Sequence, residues 1–198
     1  MPIKRYNGSA WDVISGASTA GAPGANGTNG ADGATYENLL STTTLSGAST
    51  TINSISQAYK HLKVTITGIT NDTANGYNIV KPNGSSTVAN IGHIIVADPD
   101  FTIGFYDTGA ITDLRLNGRT TQDRTSANNY YEFIFKNYSS TTLYKGITGS
   151  TQWLPGSFAY MSEIKHGSWN ITAAISSLVF SNTAGSHTAG TVKIYGIN

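Results

Sequence analysis

Leu62-Lys63-Val64-Thr65-Ile66-Thr67-Gly68-Ile69 alternates apolar and polar residues as far as Thr67. Successive side chains of a strand point to opposite faces, so Leu62, Val64 and Ile66 share one face and Lys63, Thr65 and Thr67 the other. Such a strand lays one side on a core and leaves the other in water. The period returns in Tyr131–Lys136, where Tyr131, Phe133 and Phe135 fall together, and again in Ser177–Phe180 and Thr191–Ile197. In the last of these Val192 and Ile194 face the core, joined by Tyr195 or Ile197 according to whether the chain bulges at Gly196. Turn dipeptides punctuate these runs: Asn71-Asp72, Asn75-Gly76, Pro82-Asn83-Gly84, Asp107-Thr108-Gly109, Asn117-Gly118, Pro155-Gly156 and Ala184-Gly185. The only helical candidate is a short one, Ser54 to His61. Many short strands at close spacing predict an all-β body over residues 36–198, an antiparallel β-sandwich or jelly roll.

Working outward, residues 17–35 carry a different signal. Gly21, Gly24, Gly27, Gly30 and Gly33 recur at every third position, and no position between them is glycine. A flexible linker would scatter its glycines without phase. Strict phase is what a collagen triple helix demands, because only glycine fits at its crowded axis. The segment therefore reads as a collagen-like stalk and the protein as a parallel homotrimer. Pro23 alone stiffens the run, so the flanking domains must hold the chains in register. Upstream, residues 1–16 read as a β-hairpin: Ile3–Tyr6 and Trp11–Ile14 flank Asn7-Gly8, a dipeptide suited to a turn with positive φ. A lone hairpin is marginal in water. Ile3, Tyr6, Trp11 and Val13 are thus expected to dock on a partner surface.

Composition narrows the function. Charged residues make up 12% of the 198-residue chain, about half the ~25% of an ordinary globular domain. The net charge is +1, with Lys and Arg scattered singly, so there is no electrostatic footprint for nucleic acid. The chain has no cysteine, which removes disulfides, thiolate metal sites and thiol nucleophiles. No apolar h-region follows Met1–Tyr6, and no apolar stretch approaches the ~20 residues needed to span a bilayer, so neither a signal peptide nor membrane insertion is expected. A low-charge β protein without an export signal suggests release by lysis, as for a virion component.

Three segments resemble a known family. Thr51–Val64, with Tyr59-Lys60-His61-Leu62 at its centre, is similar to a strand near the start of small tailed-bacteriophage fibre and adhesin domains. Gly190–Ile197 resembles their closing strand, and Tyr6-Asn7-Gly8-Ser9-Ala10-Trp11 resembles the start of many phage tail or virion proteins. The resemblance implies a parallel homotrimeric fibre with a virion-docking end, a spacer and a globular tip. It carries no catalytic residue.

The residues themselves offer little chemistry. His61, His93, His166 and His187 show no ligand spacing, and no metal or cofactor is expected. Asp98, Asp100, Asp107 and Asp113 are the densest carboxylates, the residue type a glycosidase or a Ca²⁺ site would use, but Asp98-Pro99-Asp100 reads more simply as a turn. Glycan recognition uses aromatic platforms beside amides and hydroxyls. Asn129, Tyr130, Trp153 and Trp169 are the candidates of that kind, Trp153 as an exposed loop residue and each with core packing as its alternative. The expected function is a non-enzymatic virion fibre whose tip contacts a host-surface glycan or protein. The alternative is a capsid or neck decoration fibre.

Overall fold

The computed structural model describes residues 4–13, 36–73, 76–85, 89–97, 102–111, 113–117, 127–154 and 161–198; of 12–13, 89–97 and 102–111 only the backbone is described. The glycine run, Gly21 to Gly33, and Ile3 lie outside these residues. The chain divides into Met1–Thr35 and Tyr36–Asn198, each taken by itself below.

In the first unit β1 (Lys4–Tyr6) pairs antiparallel with β2 (Trp11–Val13). Gly8 takes a φ of +95°, open to glycine at little cost. The Asn7 carboxamide oxygen accepts hydrogen bonds from the Ala10 and Ser9 amides at 2.8 and 3.1 Å and ties the turn. Tyr6 lies opposite Trp11, their ring centroids 5.2 Å apart, and both rings are exposed.

The second unit is all-β and antiparallel, with no helix among the described residues. Its strands are β3 (Glu37–Thr44), β4 (Ser49–Ile52), β5 (His61–Asn71), β6 (Asn78–Pro82), β7 (Ala89–Ala97), β8 (Thr102–Ile111), β9 (Leu114–Arg115), β10 (Tyr130–Lys136), β11 (Lys145–Trp153), β12 (Met161–Trp169), β13 (Leu178–Asn182) and β14 (His187–Ile197). Eight form one sheet in the order β3-β14-β5-β10-β11-β12-β7-β8, and four form another, β4-β13-β6-β9. From β3 to β6 the chain alternates between the sheets. The two hairpins β7–β8 and β11–β12 both widen the large sheet.

The core lies between the sheets. Leu62, Val64, Ile66, Phe133, Phe135, Val192 and Ile194 of the large sheet meet Ile52, Val80, Leu178 and Phe180 of the small one. All but Ile52 and Val80 lie in the runs read from period-2 alternation, and Phe133 and Phe135 meet edge to face with ring centroids at 5.4 Å. Ser54 to Lys60 forms loop and bends, not helix, and His61 opens β5. Asp107-Thr108-Gly109 is not a turn. It lies within β8, opposite a register shift between Ala89 and Ile91 of β7.

The two motifs at the ends of this unit are brought together. Tyr59 lays its ring on Gly196, where an added Cβ would stand 2.3 Å from ring carbons, so only glycine fits. The Lys60 amide donates to the Ile197 carbonyl at 3.0 Å. Near this end of β14 the register shift, in its pairing with β3, falls between Ile194 and Tyr195, not at Gly196; Ile197 is buried and Tyr195 partly exposed.

Candidate functional site

Among the described residues of this unit, no layer covers the outer face of the large sheet. Strand register arranges its side chains in rows. One row runs Thr191, Thr67, Tyr130, Gln152 across β14, β5, β10 and β11; the next runs Lys193, Thr65, Glu132, Ser150; the third begins Tyr195, Lys63, Ile134. Glu37, Lys63, Thr65, Thr67, Tyr130, Thr191, Lys193 and Tyr195 enclose an open groove of about 340 Å³.

An ion cluster organises this groove. Lys63 Nζ lies 3.0 Å from Glu37 Oε1 and 3.3 Å from Glu132 Oε2, and the Tyr130 hydroxyl donates to Glu132 Oε2 at 2.6 Å. Partial burial pulls the Lys63 ammonium down, yet the two carboxylates hold its pKa above the ordinary lysine range. Burial and the bond to Glu132 push the Tyr130 phenol up to about 12, so the ring remains a neutral donor and platform at physiological pH. Two tyrosines, three threonine hydroxyls and charged groups of both signs suit a polyhydroxylated ligand: ring faces cover apolar patches while hydroxyls and charges read its oxygens.

Of the four residues expected to bind a receptor, Tyr130 alone lies on this face. Trp153 and Trp169 are fully buried. Trp153 is the last residue of β11 and not a loop residue; parity with Ile147 and Thr151 turns it inward. Trp169 ends β12 in the inward phase of Met161, Glu163 and Lys165. Asn129 is buried as well: its carboxamide accepts from the Ile69 amide and donates to the Ile69 carbonyl, both at 2.9 Å, clamping β5 just past Gly68. Lys63, Thr65 and Thr67, the polar phase of the alternating run that sets the fold, line the groove with Tyr195, and none of these is among the four. Of the docking residues, Tyr6 and Trp11 are exposed and Val13 closes β2 opposite Lys4.

The inner face also holds buried charge, on β12 between Met161 and Trp169, which themselves join the apolar core. Glu163 and Lys165 are both buried and paired at 2.7 Å, with the Thr151 hydroxyl donating to Glu163 at 3.3 Å. Burial drives the Lys165 pKa down, against the pull of Glu163. Nearby polar groups continue inward. Asn117 accepts from the Asn78 amide at 2.7 Å, and Asn78 Oδ1 accepts from Asn182 at 2.9 Å and lies 3.3 Å from His187 Nε2. Tyr131, bonded to Asn78, has its phenol pKa raised by burial.

Asp98 and Asp100 lie outside the described residues, and Asp113 lies 3.8 Å from Arg115. Among the described residues no three His, Asp or Glu side chains converge as metal ligands. His61 accepts a hydrogen bond from the Asn137 amide at 3.1 Å. The chain matches no family model, no curated protein and no solved structure, so its site rests on its own geometry.

Proposed function

We propose that this protein is a non-enzymatic structural fibre of a bacteriophage virion, a parallel homotrimer whose tip, residues 36–198, binds a glycan or protein of the host surface. The observation that carries this reading is the uncovered outer face of the large sheet, where Tyr130 and Tyr195 stand among threonine hydroxyls around the Lys63 ion cluster. Strand order adds support. The four-strand sets β3-β14-β5-β10 and β4-β13-β6-β9 have the order of a jelly roll, an architecture of viral capsid and lectin domains. The glycine triplets supply the collagen-like spacer, and the exposed Tyr6–Trp11 pair supplies an apolar surface for docking on another virion protein. Three copies of a shallow site gain avidity without high affinity in any one.

The test is saturable binding of the labelled full-length chain to host cells, competed by extracted surface polysaccharide or by surface protein. Failure to bind, by a chain that still assembles into particles, would refute the receptor role and favour a capsid or neck decoration fibre.

A further inference from the structure

Exposed apolar side chains gather at one end of the body. Register sets Glu37, Ile197, His61, Lys136 and Gly146 side by side across β3, β14, β5, β10 and β11. Tyr36, the residue before β3, belongs to that end and follows the glycine run three residues after Gly33. Tyr36 and, on the edge strand β3, Leu39 are 69% and 57% exposed, and Leu143 and Tyr144 in the β10–β11 loop are 53% and 60% exposed. Four strand spacings, about 19 Å, separate β3 from β11, so these are two distinct patches.

The loop that carries the second patch is held firmly. Lys145 is buried, and its ammonium donates to the carbonyls of Ser140, Leu143 and Thr172 at 2.6, 2.7 and 3.0 Å. The Ser140 hydroxyl oxygen accepts from the Leu143 and Thr142 amides at 3.0 and 3.2 Å, and the Ser139 hydroxyl donates to the Tyr59 carbonyl at 2.8 Å. A buried lysine is thus committed to fixing a loop that presents Leu143 and Tyr144 to solvent. An apolar knob already fixed in place meets a partner without the cost of ordering its loop.

We propose that the Leu143–Tyr144 knob of one chain docks against the Tyr36–Leu39 edge of a second copy, three such contacts closing a ring at the base of the tip. This rests on the homotrimer reading. Chains wound together as far as Gly33 keep their Tyr36 residues close, because three residues reach no more than ~10 Å. A three-fold ring needs a heterologous contact, in which two different patches meet. The two patches at this end meet that requirement.

The cysteine-free chain permits a direct test. Full-length protein carrying Leu39→Cys and Tyr144→Cys together is oxidised and run without reductant, beside each single variant and with native mass measured in solution. The expected result is a native trimer, covalent trimer from the double variant and none from either single one. A native trimer without cross-links, or dimers from Leu39→Cys alone, overturns this contact and leaves the trimer intact. A native monomer overturns the trimer reading itself. Should the cysteine variants misfold, Tyr144→Lys gives an independent readout: trimer dissociation is expected at a concentration at least about tenfold higher than for the parent chain, and an unchanged midpoint overturns the contact.

Discussion

On β5 the inward residues Leu62, Val64 and Ile66 are sealed from solvent, while Lys63, Thr65 and Thr67 between them line an open groove. On β12 the inward residues include Glu163 and Lys165, and an isoleucine, Ile164, stands exposed between them. Both strands alternate with period 2, but only the first alternates in hydrophobicity. Beneath β5 the small sheet supplies apolar partners, so leucine, valine and isoleucine suffice. Beneath β12 the inward face is mixed: Met161 and Trp169 join the apolar core, and between them the charges of Glu163 and Lys165 persist because each neutralises the other. The outer face carries neither constraint, which leaves it available for recognition.

The largest expected effect is on the apolar side. Phe133→Ala should cost about 3–5 kcal/mol through lost burial and the cavity left behind, read from denaturant unfolding; a cost below 1 kcal/mol would show that this half is not the core. For the charged interior, Glu163→Gln should cost a similar amount, about 3–5 kcal/mol, because it takes from the buried Lys165 ammonium the carboxylate that neutralises it. Glu163→Leu combined with Lys165→Met should recover most of that loss. If the double variant is as unstable as the single one, the pair does more than neutralise itself.

A smaller effect is expected at Asn129. Asn129→Ala strips both polar groups of Ile69 of their side-chain partner and should cost roughly 1–3 kcal/mol, although the residue reads from sequence as a surface amide. Acid should weaken the polar interior further. Burial depresses the His187 pKa below 6.5, so the unfolded chain binds the proton more readily. Stability should therefore fall as pH drops through 6.5 towards the folded-state value. A melting temperature flat from pH 7 to pH 5, or a slope unchanged by His187→Gln, would count against this.

The parts of the fold legible in the sequence were those whose inward residues are apolar. Leu62, Val64, Ile66, Tyr131, Phe133, Phe135, Val192 and Ile194 declare their strands by period alone, and each is buried. β12 went unread because Glu163 and Lys165 sit where the pattern asks for apolar residues. β11 went unread because glycine, serine and threonine blur its period. That blurring also misplaced Trp153: without a visible strand its parity could not be counted, and Pro155-Gly156 made it resemble a loop residue. The groove was half legible. Tyr130 was singled out for its chemistry, but Glu37, Lys63 and Tyr195 join it only through pairings among β3, β14, β5 and β10, and such long-range register is not written in any local stretch.

The division between the two faces is tested most directly at Tyr130, an outer-face residue whose removal costs its hydrogen bond to Glu132, about 1 kcal/mol. Binding of the full-length chain and its Tyr130→Ala variant to host cells, with the melting temperature of each, tests the division between the two faces. The predicted result is binding lost or reduced at least about tenfold, with the melting temperature lowered by no more than about 4 °C. Undiminished binding by Tyr130→Ala, or no binding by the parent chain, would contradict it.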